Sequence, residues 1–237
     1  MLDILMDRWL VVPVIAVVAY LLGSVNWAII ITRLLLRRDI RDMGSGNAGA
    51  TNVLRSQGAL PAALTLIGDA GKGVLAALAG GWIMMWLATG TETFPSESLV
   101  MFGRYVAAIF VVVGHMFPVF YGFRGGKGVA TICGLLAVLD WRVWLLCVSV
   151  FALVVLLSRM VSLGSVCAGV CIIAMTFVFR LFADGMPMET VWFCTVGIGL
   201  PVTLAIVKHG GNIRRILAGT ESRIGEKVAT ETESTAE

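Results

Sequence analysis

The chain alternates long apolar runs with short polar stretches, and the lengths of the runs set the first expectation. Apolar segments fall at roughly 9–32, 70–88, 99–120, 141–158, 160–183 and 190–207. Each is close to the length of about 20 residues that an α-helix needs to cross a bilayer core. A seventh segment, 128–139, is short and interrupted by Gly134, and a further piece, 58–68, reads as a half-helix leading into 70–88. No internal repeat is visible. The pattern predicts an all-α fold, a polytopic integral membrane helix bundle.

Composition strengthens this picture. Of 237 residues, 58% are hydrophobic and 14% charged, against about 25% charged in a soluble domain. No amphipathic partners are present to cover six apolar helices in water. The first run follows Arg8 and is about 24 residues long, so it reads as a retained helix and not as a secretory signal. All five cysteines lie inside apolar runs without a CxxC pair, which favours small buried hydrophobes over disulfide or metal chemistry. No basic, aromatic-rich soluble face supports nucleic-acid binding.

The net charge of +3 matters less than its placement. Arg33, Arg37, Arg38, Arg41 and Arg55 follow the first run, whereas 89–98 is acidic. Arg124 and Lys127 come next, then the mixed turn of Asp140 and Arg142, then Arg159, an acidic 184–189, and a basic tail from Lys208. Because basic loops stay on the cytoplasmic side, this order fits about seven transmembrane helices if 128–139 crosses. The N-terminus is then outside and the C-terminus cytoplasmic, with Arg104 and Arg180 as exceptions near outer ends.

Four polar, glycine-rich stretches would share the cytoplasmic face: GSGNAGATNVLR (44–55), GDAGKG (68–73), GFRGGKG (122–128) and KHGGNIRR (208–215). Gly44, Gly46 and Gly49 allow close backbone approach, so successive N–H groups can form an anion nest. Ser45, Asn47, Thr51 and Asn52 add neutral donors, and Arg55 adds a planar cationic fork suited to phosphate. A loop touching lipid phosphate explains the same residues. GFRGGKG lacks the Ser/Thr that a P-loop needs after GK, so the nucleotide reading fails and an anion-binding helix start remains. Asp69 and Lys72 stand one helical turn apart, His115 reads as a structural histidine, and His209, Asn212 and Arg215 share one helix face. No Ser–His–acid arrangement and no metal-ligating cluster is evident.

Together AYLLGS (19–24), GSGNAGATNVLR, DAGKG (69–73), GHMFPVFYGFRGGKGVAT (114–131) and HGGNIRRILAGTE (209–221) resemble the bacterial acyl-phosphate:glycerol-3-phosphate acyltransferase family in order and spacing. The resemblance implies a seven-helix enzyme of the bacterial cytoplasmic (inner) membrane with its site on the cytoplasmic side. It implies acyl transfer from acyl phosphate to the 1-hydroxyl of sn-glycerol 3-phosphate, giving lysophosphatidate, with no cofactor and no metal. By motif position it implies Ser45, Asn47 and Arg55 at the catalytic site, Lys127 on phosphate and Lys72 nearby. Gly46, Gly49, Thr51 and Asn52 of the first motif fall on the substrate side. Gly125, Gly126 and Gly128 shape the pocket, His209 and Asn212 complete the polar wall, and Glu221 is structural. Two departures stand out: Gly210 and Gly211 replace charged residues, and Asn26 stands where proline is common.

The division that follows is 1–208 as transmembrane catalytic domain, 209–227 as a cytoplasmic tail motif completing the site, and 228–237 as a disordered acidic tail. Acyl phosphate is already an activated anhydride, so direct transfer without an acyl-enzyme is expected, with His209 or the donor phosphate as base. The alternatives are an organic-phosphate transporter and an anionic-lipid-binding scaffold.

Overall fold

The computed structural model describes residues 10–88 and 97–225, so the acidic tail 228–237 lies outside the described residues. The first apolar run is two helices, α1 (Val11–Ser24) and α2 (Trp27–Leu36). Asn26 makes the break. Its backbone is extended, its Oδ1 accepts from the Ile29 N–H at 3.1 Å, and its amide donates to the Ala48 carbonyl at 3.3 Å. It therefore caps α2 and ties the 44–49 loop to it.

After the short α3 (Ala50–Gln57), α4 runs unbroken over Ala59–Ala88. The expected half-helix at 58–68 is thus its first turns. GDAGKG lies inside this helix, not in a surface loop, because its glycines serve packing. A Cβ on Gly68 would lie 2.4 Å from the Trp27 ring, and one on Gly73 would lie 2.3 Å from the Thr131 carbonyl. Small residues at such crossings let helices approach closely where apolar burial gives no drive.

The remaining helices are α5 (Glu97–Met116), α6 (Val129–Leu139), α7 (Trp141–Ser158), α8 (Val161–Val178), α9 (Met188–Lys208) and α10 (Gly210–Leu217). A π turn, Phe179–Ala183, continues α8. The centre of the bundle is α5, with Ala107, Ala108, Val111 and Val112 fully buried. Among the described residues six stretches are long and apolar enough to cross a membrane: Val11–Leu36, Ala59–Leu87, Glu97–Tyr121, Trp141–Ser158, Val161–Ala183 and Met188–Lys208.

The shorter α6 rises only about 16 Å. One end is fixed by charge. Arg180 donates to the Leu139 carbonyl at 2.8 Å and pairs with Asp184 at 2.9 Å, while Arg142 meets Asp140 and Asp184 at 2.8 Å each. Two arginines against two aspartates cancel, which neutralises Arg180 at that end. The other end of α6 opens into a cavity beside His209, at the opposite terminus of α9. The short helix is what leaves room for that cavity inside the bundle.

Candidate active site

Two loops and the tail enclose a cavity of about 610 Å³. In the first loop Gly44 and Gly46 adopt positive φ, 55° and 70°. Asn52 organises it: Oδ1 accepts from the Ser45 N–H at 3.0 Å, and Nδ2 donates to the Ile40 and Met43 carbonyls at 3.1 and 2.9 Å. Asn52 is thus consumed by the loop. Gly49 precedes α3 without a side-chain cap, so the start of that helix, residues 49–52, faces the cavity. The Gly49 and Asn52 N–H groups are bonded to the Asn47 and Gly49 carbonyls, which leaves those of Ala50 and Thr51, with the positive end of the helix dipole, to suit an anion there.

The second loop lies flat on the end of α5. The Gly125 and Gly126 N–H groups donate to the Met116 and His115 carbonyls, each at 3.2 Å. A Cβ on Gly126 would fall 2.3 Å from His115 Nε2 and 2.5 Å from the Ala48 carbonyl, so only glycine fits. Arg41 joins the loops by donating to the Tyr121 carbonyl at 2.6 Å and to that of Arg124 at 3.2 Å.

The tail supplies the third wall. Lys127 donates to Asn212 Oδ1. Asn212 Nδ2 donates to Glu221 Oε1 at 2.6 Å, as does Ser162 Oγ, and Arg215 donates to Glu221 Oε2 at 2.8 Å. Burial works against the Glu221 charge, but these three donors hold its pKa below the ordinary value. Burial pushes Lys127 down to about 8, and the neighbouring Arg215 and Arg55 act in the same direction, against Glu221. His209 is held below its ordinary value by burial first and by the Lys127 charge second. Its Nδ1 lies 2.7 Å from the Ala205 carbonyl, which only accepts, so Nδ1 carries the proton and Nε2 is left as an acceptor.

Ser45, Gly46, Asn47, Gly49, Thr51, Arg55, Gly125, Lys127, Gly128, His209, Asn212 and Glu221 all line this cavity. Arg55 donates to the Ser222 carbonyl at 3.2 Å, bringing the tail across. Ser45 is exposed, and no histidine hydrogen-bonds its hydroxyl. Lys72 is elsewhere. It is 4% exposed behind the cavity wall, donating to the Gly23 and Val25 carbonyls at 3.0 and 2.7 Å, with His115 Nδ1 at 2.8 Å. Asp69 Oδ1 lies 2.9 Å from the ammonium, off hydrogen-bonding alignment. The break after α1 strands these carbonyls, and a cation there meets the negative end of the helix.

Sequence reasoning missed Ser162, whose sole signal is a serine near the start of an apolar helix. It also missed an apolar pocket of about 250 Å³ that shares Leu66, Val129, Ala130, Phe151, Ser165 and His209 with the polar cavity. This pocket runs on between α6, α7, α8 and α9 along Cys133, Cys147, Ala168, Ile172 and Val202. Nothing in a uniformly apolar run marks which residues face a gap.

Residues 13–219 match the family model described as Glycerol-3-phosphate acyltransferase. The chain is 40% identical to a glycerol-3-phosphate acyltransferase of Trichormus variabilis, with 98% of this chain and 100% of the relative covered. It is 39% identical to one of Clostridioides difficile, covering 90% and 96%. Among solved structures it is similar to PlsY (YgiH), an integral membrane glycerol 3-phosphate acyltransferase. The glycerol 3-phosphate form matches at TM-score 0.71 and 35% identity, over 90% of this chain and 96% of that one. The lysophosphatidic acid form matches at TM-score 0.67 and 34% identity, over 90% and 95%.

Proposed function

Because the chain belongs to the glycerol-3-phosphate acyltransferase family, and is a multi-pass membrane enzyme of that activity, we propose that the cavity between the two glycine loops and the tail is where the transfer occurs. One observation carries the reading: a polar cavity walled by Arg55 and Lys127 opens at His209 into an apolar pocket. The two compartments match a water-soluble phosphate acceptor and an acyl chain. Family membership removes the transporter and scaffold alternatives.

The proposed donor is acyl phosphate, and the proposed location is the cytoplasmic face of a bacterial inner membrane. Basic residues line the cavity, namely Arg55, Lys127 and Arg215. Two phosphate-bearing substrates call for two anion holders, supplied by the start of α3 with Arg55 and by the Lys127 ammonium at the end of the second loop. The glycerol 1-hydroxyl attacks the acyl carbonyl carbon, the new C–O ester bond forms, and the bond to the phosphate oxygen breaks. Lysophosphatidate and inorganic phosphate result. Either His209 Nε2 or the departing phosphate takes the hydroxyl proton. Holding both reactants in line supplies most of the acceleration, since the donor is already activated. Ser45, with no base on its hydroxyl, contacts substrate and does not become acylated.

The test is transfer by purified protein in detergent, with radiolabelled glycerol 3-phosphate and palmitoyl phosphate, palmitoyl-CoA or palmitoyl carrier protein. Lysophosphatidate from acyl phosphate alone, lost in Arg55→Ala, is the expected result. Product from the CoA donor overturns the donor assignment. Undiminished activity in Arg55→Ala, or an acyl-Ser45 adduct trapped with donor alone, overturns the site or the direct mechanism.

A further inference from the structure

The chain has two histidines, and both line the cavity. Their protons are placed oppositely. His209 gives its Nδ1 hydrogen to the Ala205 carbonyl and keeps Nε2 as an acceptor. His115 faces a different neighbour. The Lys72 ammonium has three hydrogens, and three aligned acceptors surround it: the Gly23 carbonyl, the Val25 carbonyl and His115 Nδ1. An ammonium donates and cannot accept, so His115 Nδ1 is an acceptor and its proton is on Nε2. Asp69, 1% exposed, lies 2.9 Å from Lys72 and pairs with it.

His115 Nε2 stands against Gly126, in the loop that carries Lys127 into the cavity. No protein acceptor among the described residues takes its hydrogen. His115 lines the cavity, so this hydrogen is open to a group bound there. Resting on the reading of this cavity as the substrate site, we propose that Asp69 and Lys72 fix His115 as a neutral Nε2–H donor, and that it donates to a phosphate oxygen of the bound substrate from beneath the 125–128 loop. Asp69 and Lys72 are positioning residues, and His115 joins the binding groups. Neutrality has a purpose here: a neutral donor orients an oxygen without adding a third positive charge beside Arg55 and Lys127. The phosphate belongs to either substrate.

The wild-type protein tests this directly. Nitrogen-15 NMR of protein labelled at histidine gives two imidazole pairs, assigned with His209→Gln. The expected spectrum has His115 in the Nε2–H form and His209 in the Nδ1–H form. Glycerol 3-phosphate alone, or a non-hydrolysable acyl phosphonate alone, then shifts the His115 Nε2–H signal, and the ligand that does so identifies the phosphate. An Nδ1–H or doubly protonated His115 overturns the proposal. So does a shift of His209 with His115 unmoved under both ligands. No shift at either histidine, in protein that is active, removes the site reading itself. In kinetics, His115→Asn keeps the Nδ1-like acceptor for Lys72 and loses the donor. It raises KM for the substrate concerned by about tenfold with kcat little changed, and His115→Gln recovers part of the loss. Equal kinetics in wild type and His115→Asn contradict it.

Discussion

Lys127, the proposed phosphate holder, has its charge weakened by its own site. Burial brings its pKa down to about 8, so the cation is present below that pH and is lost as pH rises through it. His209, held below its ordinary value by burial and by the Lys127 charge, gains its own charge in more acid solution than a free histidine does. A pH profile of kcat/KM for glycerol 3-phosphate is therefore expected to fall on the alkaline side near 8, and on the acid side below 6.5. Lys127→Arg, which stays charged, moves the alkaline limb upward; an unmoved limb assigns it to another group. Residue identity was legible in the sequence for most of this wall, since Arg55, Lys127, His209 and Asn212 announce anion chemistry by type. Direction was not. Lys72 looks equally suited to phosphate, yet it turns to carbonyls contributed by residues 47 and 49 positions earlier. Asn52 likewise spends all its bonds on its own loop.

Among the elements, glycines divide by what their missing Cβ would meet. Gly210 and Gly211 open α10, where a Cβ meets nothing within 4 Å at 210 and only the Arg215 guanidinium at 3.7 Å at 211. Glycine at these two positions costs helix stability without a packing return. Gly210→Ala and Gly211→Ala are each expected to stabilise that helix by about 0.5–1 kcal/mol, read as raised Tm in detergent with activity kept. Gly126→Ala goes the other way, because its Cβ collides with His115 and the Ala48 carbonyl; it lowers Tm and raises KM for glycerol 3-phosphate. The gap left beside α6 makes a second element-level prediction. Ala168, 5% exposed, lines the apolar pocket. Ala168→Trp should lower kcat/KM for palmitoyl phosphate about tenfold or more relative to octanoyl phosphate. Equal losses with both chains would separate this pocket from the acyl tail. The pocket itself was invisible in sequence, because it arises where four apolar helices fail to meet.

The whole molecule carries its asymmetry in charge. Arg142 and Arg180 at one end are cancelled by Asp140 and Asp184, while the cavity end keeps a surplus of arginine and lysine. The proposed topology places Ser98, exposed at the start of α5, outside, and Arg214, exposed on α10, in the cytoplasm. In a cysteine-free background, Ser98→Cys should react with a membrane-impermeant maleimide on intact cells, and Arg214→Cys only after lysis. The reverse pattern inverts the topology. Sequence by itself determined the membrane class, the run of apolar helices and the family, because hydrocarbon admits only long apolar segments with internally satisfied backbones, and because the phosphate motifs are contiguous strings. Tertiary structure alone decided that GDAGKG is helix interior, that Asn26 caps a break, that Lys72 faces carbonyls and that a dry pocket joins the polar cavity. Each of these depends on which atoms of distant helices lie within about 3 Å of a side chain, and hydrogen bonds act only at that range.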